Sequence, residues 1–122
     1  MPYKQSAQGV LFNSRPNTSI LDFDRQSLID RILQKLENKN VDAAYIFGSF
    51  ATETSHVWSD IDLIIVKACD KVFVERPRDF FDLFDLNIPI DILVYTSDEF
   101  AILLQEKTGF WHHVRQSMVR IL

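Results

Sequence analysis

Two aspartates, Asp60 and Asp62, have the residue type and the spacing that could support chemistry in this sequence. They flank Ile61 at the start of an apolar run, Ile61–Val66, which is typical of a buried strand. Because side chains alternate along a strand, the two carboxylates lie on one face, roughly 7 Å apart along the chain. Carboxylates placed in this way repel each other unless a cation neutralises them. Mg²⁺ suits sites built from a few carboxylates and substrate phosphates, so the pattern predicts a magnesium site.

A second apolar run, residues 41–47, ends abruptly at Gly48 and Ser49. Glycine permits a sharp turn and the close approach of another backbone or a ligand, and Ser49 offers a hydroxyl group. Residues 50–53 can form a short helix, whose first amide groups attract an anion. A phosphate cradle that faces a metal-binding carboxylate pair is the apparatus of phosphoryl or nucleotidyl transfer.

The motif as a whole resembles the signature of the DNA polymerase β-like nucleotidyltransferase superfamily: Gly48-Ser49, ten residues, then Asp60-Ile61-Asp62. The small size of the chain makes it most similar to the minimal nucleotidyltransferases of bacteria and archaea. In that family a third carboxylate lies on a later strand beside the Asp-x-Asp strand, and Asp91 within Ile90–Tyr95 matches it. The resemblance extends from about Ser27 to the C-terminus.

This resemblance implies transfer of a nucleoside monophosphate, expected to be AMP from ATP, to a hydroxyl acceptor. Asp60 and Asp62 would hold two Mg²⁺ ions on the triphosphate, and Asp91 would complete the metal site nearer the acceptor. Gly48 and Ser49 would hold the β- and γ-phosphates. Minimal members are often paired with a small helical HEPN-type ribonuclease toxin, and they act as antitoxins by adenylylating it.

The chain departs from the family at Thr52 and Glu53, where the turn often continues with an arginine and a glycine. Losing a cation and gaining an anion weakens the electrostatic attraction of a triphosphate. An alternative is therefore a catalytically weak or inactive module that keeps the fold and neutralises a partner by contact. A nucleotide sensor that binds without turnover is a third interpretation.

Composition indicates one globular domain of ordinary hydrophobicity, with 47% hydrophobic and 25% charged residues. The net charge of −4 gives no global basic field, so long nucleic acid is not an expected partner. Cys69 is the single cysteine, which favours a reducing compartment. No apolar run approaches the roughly 18 residues of a membrane helix. We therefore expect a cytoplasmic protein with no membrane partner.

The predicted fold class is α/β in the broad sense (α+β), a small mixed sheet flanked by helices, and the resemblance implies the nucleotidyltransferase fold. We expect an N-terminal arm, residues 1–24, as an extended piece or short hairpin, and a nucleotidyltransferase domain, residues 25–122. Predicted strands are residues 41–47, 61–66, 90–95 and an edge strand at 119–122, with a brief extended piece at 72–74. Predicted helices are residues 25–38 after an Asp22 or Asp24 cap, 77–86, 97–106 behind a Thr96–Glu99 capping box, and 110–117.

Other polar and aromatic residues allow weaker interpretations. Adjacent His112 and His113 point about 100° apart on a helix, so a surface or partner contact is favoured over a shared metal ion. Trp58, with His56 in the loop before Asp60, could stack on a nucleotide base, although packing on the domain is the favoured interpretation. Lys67, Arg76 and Arg78 could reach phosphates but are left as solvated charges.

The phenylalanines at residues 80–84 and the aromatic pair at 110–111 allow one more prediction. We expect an exposed apolar patch at one of these places, because the chain lacks the helical acceptor-binding domain of larger relatives. Such a patch would serve a helical partner or a second copy of the chain.

Overall fold

The computed structural model describes the backbone of residues 13–14 and the whole of residues 18–122. In this part of the chain the strands are β1 Asn13–Ser14, β2 Ala43–Phe47, β3 Ile61–Val66, β4 Ile90–Tyr95 and β5 Val119–Arg120. The α-helices are α1 Arg25–Leu36, α2 Gly48–Thr52, α3 Ser97–Leu103 and α4 Gly109–Ser117. Two segments form 3-10 helices, Ile20–Asp22 and Phe73–Leu86, and the second is called the long 3-10 segment below.

The strands form one mixed sheet in the order β1-β4-β3-β2-β5. Strands β3 and β4 run parallel, and the other neighbouring pairs run antiparallel. On one face, a cluster that includes Leu63 and Ile92 packs against α1 and the long 3-10 segment. On the other face, a cluster that includes Ile64 and Leu93 packs against α3 and α4. The helices therefore cover both faces, which confirms the predicted class.

Sequence signals located the ends of several elements correctly. Strands β3 and β4 have the predicted bounds, because fully buried strands are continuous apolar runs bounded by polar or turn residues. Asp24 caps α1 by accepting a hydrogen bond from the amide of Ser27 at 3.0 Å. The Thr96–Glu99 capping box opens α3 as predicted.

Other boundaries differ from the prediction by a few residues. Helix α1 ends at Leu36, and Asn38 follows in the left-handed region at φ 65°. Helix α3 ends at Leu103 rather than at residue 106, and the terminal edge strand is shortened to Val119–Arg120. Each of these is a helix or strand end, where single-sequence signals are weakest.

The prediction of an extended piece at residues 72–74 is wrong, because the long 3-10 segment already begins at Phe73. Pro77 lies inside that segment instead of opening a helix. The first turn is held by Arg76, which is 7% exposed. Its guanidinium donates to the carbonyls of Lys71 at 2.9 Å and Val94 at 3.3 Å and pairs with the carboxylate of Glu99. A buried cation with these partners overrides the β-propensity of the local valines.

This ion pair makes stability depend on pH. The hydrogen bond from Arg76 holds the pKa of Glu99 below its ordinary value of 4.5, so the pair stabilises the fold above that pH and the gain is lost as pH falls through the lowered pKa. We expect Glu99→Gln to lower the free energy of unfolding at pH 7 by about 1–2 kcal/mol, a modest figure because the carboxylate is partly solvent-exposed.

Urea denaturation at pH 7 and pH 3.5 measures the pH dependence of this effect. The cost of the substitution should shrink at the lower pH, while the exposed control Glu106→Gln should change stability little at either pH. An equal cost of Glu99→Gln at both pH values would contradict the assignment.

Most of the predicted N-terminal arm lies outside the described residues. Within them, β1 pairs with the start of β4, where Asn13 is opposite Asp91. Ser19 and Asp22 form a capping box, and Ile20 is buried in the core. The division of the chain at residue 24 stays a prediction.

The apolar patches predicted at residues 80–84 and 110–111 are largely internal. Phe80 and Trp111 are buried at 1% and 3% exposure, whereas Phe81 is 38% exposed, so the prediction is wrong for the first two side chains. Apolar side chains with a larger exposed fraction lie elsewhere, for example Trp58 at 62% and Ile102 at 66%. None of the helices in the described residues is long and apolar enough to cross a bilayer.

Candidate active site

The parallel pairing of β3 and β4 brings the predicted aspartates together. Asp62 and Asp91 are direct register partners, so their side chains leave adjacent strands on the same face. Neighbouring strands lie about 4.8 Å apart, which sets the spacing of the two carboxylates. Asp60 comes two residues before Asp62, and each of the three is 5% exposed. The structure therefore places all three predicted carboxylates at one end of the sheet.

Gly48 lies against this group at the end of β2. Its φ of +74° is in the left-handed region, and a Cβ there would stand 2.6 Å from Oδ2 of Asp62. A side chain at position 48 would therefore collide with the carboxylate. The close approach that the sequence predicts at Gly48 is made by Asp62 itself.

Helix α4 is tied to the same turn by a residue that the sequence analysis missed. The amide of Gly48 donates to Oγ of Ser117 at 3.0 Å, and that hydroxyl donates to the carbonyl of His113 at 2.9 Å. Ser117 is buried, and no motif in the sequence distinguishes it from an ordinary helical serine. The Gly48 amide is thus occupied, so an anion at this turn needs other donors.

The cations suggested for phosphate binding lie elsewhere. Lys67 follows β3, so its backbone is roughly 16 Å along the strand from Asp62, and its ammonium sits 5.7 Å from the ring centroid of Phe80. Arg76 is paired with Glu99 at the end of the sheet where Lys67 lies, opposite the aspartates. Neither residue lies beside the aspartates.

Arg25 contacts helix α2 near the C-terminal end of that helix. Its guanidinium donates to the carbonyls of Phe50 and Ala51 at 3.3 and 3.4 Å, which satisfies the C-terminal end of that short helix. The half-buried Ser49 lies on the same helix, one residue after Gly48.

Two hydrogen bonds close the loop before Asp60, and its aromatic residue is exposed to solvent. The amide of Ser59 donates to the carbonyl of His56 at 2.9 Å, and the amide of His56 donates to Oγ of Ser59 at 2.8 Å. Trp58 is 62% exposed, so most of this residue is in contact with solvent and not buried in the domain. Stacking on a base and contact with a partner both stay open for this indole.

The donor set can be compared with what Mg²⁺ requires. Within the described residues, no three His, Cys, Asp or Glu side chains group closely enough to hold a metal ion by themselves. Mg²⁺ usually takes one or two carboxylates together with waters and substrate phosphates, so Asp62 beside Asp91 fits such a shared site. Those two residues, with Asp60 next to them, are the ones that would hold it.

The departure at Thr52 and Glu53 has a structural counterpart. Glu53 ends α2 in the left-handed conformation at φ 61°, a position where helices commonly place glycine. We expect the double change Thr52→Arg and Glu53→Gly to tighten binding of a non-hydrolysable ATP analogue about tenfold, because a charge-assisted hydrogen bond contributes roughly 1.5–3 kcal/mol. Titration calorimetry with Mg²⁺ measures this affinity.

Glu53→Gly alone separates the charge and backbone effects from the added arginine. It should raise the free energy of unfolding by about 1 kcal/mol, because glycine adopts the left-handed conformation without the strain that glutamate has there. If neither variant binds the analogue more tightly, phosphate is held away from this turn.

Three solved structures have a similar fold. A toxin–antitoxin structure with AMP-PNP matches with a TM-score of 0.56 and 21% identity over 77% of this chain and 72% of that chain. A mutant of the MntA–HpeT toxin–antitoxin matches at 0.53 and 16%, over 77% and 71%. A suspected nucleotidyltransferase from Sulfolobus solfataricus matches at 0.51 and 24%, over 62% and 70%. Identities this low show the fold alone.

The sequence itself has no match among curated proteins. Residues 29–122 match the family model described as polymerase beta, nucleotidyltransferase. That range covers most of the chain and contains the Gly48-Ser49 turn and the three aspartates. The chain therefore belongs to the polymerase β nucleotidyltransferase family, as its resemblance to the minimal members predicted.

Proposed function

We propose that this nucleotidyltransferase is Mg²⁺-dependent and moves a nucleoside monophosphate, AMP from ATP, to a hydroxyl group. The observation that carries the proposal is the register pairing of Asp62 with Asp91 against a glycine whose missing side chain makes room for one of the carboxylates. The sheet fixes the spacing of such a pair, as a site that holds a metal ion between two carboxylates requires. We place Asp60 in the same catalytic group.

The reaction would proceed by in-line displacement at the α-phosphorus. The acceptor oxygen forms a bond to that phosphorus, the bond to the β-phosphate oxygen breaks, and pyrophosphate leaves. Bound Mg²⁺, as two ions in this proposal, would neutralise the triphosphate and make the acceptor hydroxyl more acidic. Asp60 and Asp62 hold the nucleotide side of the site, and Asp91 orients the acceptor hydroxyl and takes up its proton.

The turn after β2 serves the phosphate side. The hydroxyl of Ser49 can donate to a β- or γ-phosphate oxygen, as the family resemblance implies. Gly48 contributes space through its missing side chain. It is not assigned as a donor, because its amide is already bonded to Ser117. The two residues thus have different tasks, one as a donor and one as a gap in the side-chain layer.

The acceptor that we propose is a hydroxyl on a partner protein, in the simplest case a helical HEPN-type toxin for which this chain is the antitoxin. Similar folds in structures described as toxin–antitoxin complexes, one with AMP-PNP, support this choice. Exposed apolar side chains such as Trp58 and Ile102 provide surface for a partner or a second copy. A single cysteine supports a cytoplasmic location.

Label transfer tests the proposal. The chain is incubated with Mg²⁺, the candidate partner and ATP labelled at either the α- or the γ-phosphate. Label should reach the partner from α-labelled ATP and not from γ-labelled ATP, and chelation of Mg²⁺ should stop it. Absence of transfer under conditions where the two proteins bind would overturn the proposed reaction.

A binding module that acts by contact is the second candidate. Two observations favour it. Glu53 places a carboxylate on the turn proposed to bind phosphates, and the guanidinium of Arg25 is engaged with backbone carbonyls of α2 and not with a phosphate site. In that case the Asp62→Asn and Asp91→Asn double variant should neutralise the partner as well as the wild type does. If the chain acts as an enzyme, the double variant should fail to neutralise the partner, although its affinity for the partner is unchanged.

A further inference from the structure

The geometry points to His113 as a phosphate-binding residue: its Nε2 donates a hydrogen bond to a β- or γ-phosphate oxygen of the nucleotide. This inference rests on the proposed function and adds a residue of α4 to the same site. The sequence analysis favoured a surface or partner contact for His113 over a metal ion shared with His112, and it assigned the residue no role in the site.

Proximity to the site is direct. Nε2 of His113 is 3.9 Å from the point that a Cβ on Gly48 would occupy, and Oδ2 of Asp62 is 2.6 Å from that point. The imidazole and the carboxylate therefore flank the same gap above the glycine. His113 is an exposed residue, unlike the buried Asp62 on the other side of that gap.

The position of His113 is fixed from both sides along α4. One turn later, Ser117 accepts the Gly48 amide and donates to the His113 carbonyl. One turn earlier, the ring of Phe110 packs edge-on against Phe47, with centroids 5.9 Å apart. Residues 110, 113 and 117 share one helix face, so the backbone of His113 is held against the end of β2.

The chemistry of the site calls for such a donor. A triphosphate that approaches three aspartates needs hydrogen-bond donors as well as metal ions, and the Gly48 amide is occupied. Lys67 and Arg76 lie at the other end of the strands, and Arg25 is bonded to α2 carbonyls. An imidazole donates from Nε2 when protonated and also in one neutral tautomer, so the bond does not depend on the charge of the ring.

The test compares three variants on one helix. His113→Ala removes the donor, His113→Gln offers an amide donor of similar reach, and His112→Ala is the matched control on a different helix face. Calorimetry measures binding of a non-hydrolysable ATP analogue and of AMP to each protein in Mg²⁺.

We expect His113→Ala to weaken the analogue about tenfold, as loss of one hydrogen bond to a charged acceptor implies. His113→Gln should stay within about threefold of the wild type, since an amide nitrogen also donates. AMP, which has no β- or γ-phosphate, should bind all the variants alike. His112→Ala should bind both ligands as the wild type does.

Three outcomes would overturn the inference: unchanged analogue affinity in His113→Ala, an equal loss for AMP, or an equal loss in His112→Ala. Thermal unfolding checks that each variant is folded. If His113→Ala is unstable, His113→Asn, with a shorter reach, takes its place and should show the same loss.

Failure of this inference can be told from failure of the proposed function. If the wild type binds the analogue and Asp62→Asn abolishes binding while the His113 variants bind normally, only the role of His113 is wrong. If the wild type binds no analogue, the proposed function fails and the role of His113 fails with it.

Discussion

Asp91→Asn should lower label transfer about 10³-fold while nucleotide binding stays within about threefold of the wild type, because loss of a positioned proton acceptor costs a factor in that range. The amide keeps the size of the carboxylate, so packing beside Asp62 is preserved. Asp62→Asn should reduce both transfer and binding, since its carboxylate lies on the nucleotide side. The two substitutions therefore separate the roles proposed for the two register partners.

Transfer rates from α-labelled ATP and calorimetric affinities for the non-hydrolysable analogue measure the two effects. Asp42→Asn, at an exposed position before β2, is the control and should change neither. If Asp91→Asn and Asp62→Asn weaken binding equally, both aspartates act on the nucleotide and Asp91 has no separate role toward the acceptor.

Gly48→Ala should damage both stability and activity. The left-handed conformation at φ +74° costs an alanine about 1–2 kcal/mol, and the new Cβ would stand 2.6 Å from Oδ2 of Asp62. The carboxylate must move, so we expect transfer to fall about 10²-fold even in the fraction of protein that stays folded, as misplaced catalytic groups imply.

Gly109→Ala is the matched control, because a Cβ at Gly109 meets nothing within 4 Å and its φ is not positive. It should change stability by less than about 0.5 kcal/mol and leave transfer intact. Denaturant unfolding and the transfer assay measure the two quantities for both variants. A Gly48→Ala protein with wild-type transfer would show that the Asp62 carboxylate is not needed where it lies.

The strands and the aspartates could be predicted because local sequence determines them. The apolar runs of β3 and β4 have no alternative to full burial, and alternation within them fixes which face the carboxylates take. Glycine at position 48 predicted a close approach, and the structure shows that the Asp62 carboxylate makes one there.

What the sequence did not reveal depends on contacts between distant parts of the chain. Ser117 is 69 residues from Gly48, and nothing local indicates their hydrogen bond. Arg76 was left as a solvated charge, yet it is buried because Glu99 and the carbonyl of Val94 come to it from later in the chain. The β-propensity of residues 72–74 therefore predicted an extended piece where the long 3-10 segment begins.

The parallel register of β3 and β4 has a consequence for how such a site can vary. The distance between Asp62 and Asp91 is set by the repeat of the sheet and not by the connections that lead to each strand. Residues 67–89 can therefore lengthen or shorten without altering that distance. A shift of β4 by one residue, however, would turn Asp91 into the opposite layer and bring Ile90 or Ile92 beside Asp62. Insertions and deletions between the two strands thus leave the spacing of the aspartates intact, whereas a one-residue shift of register within a strand separates the pair.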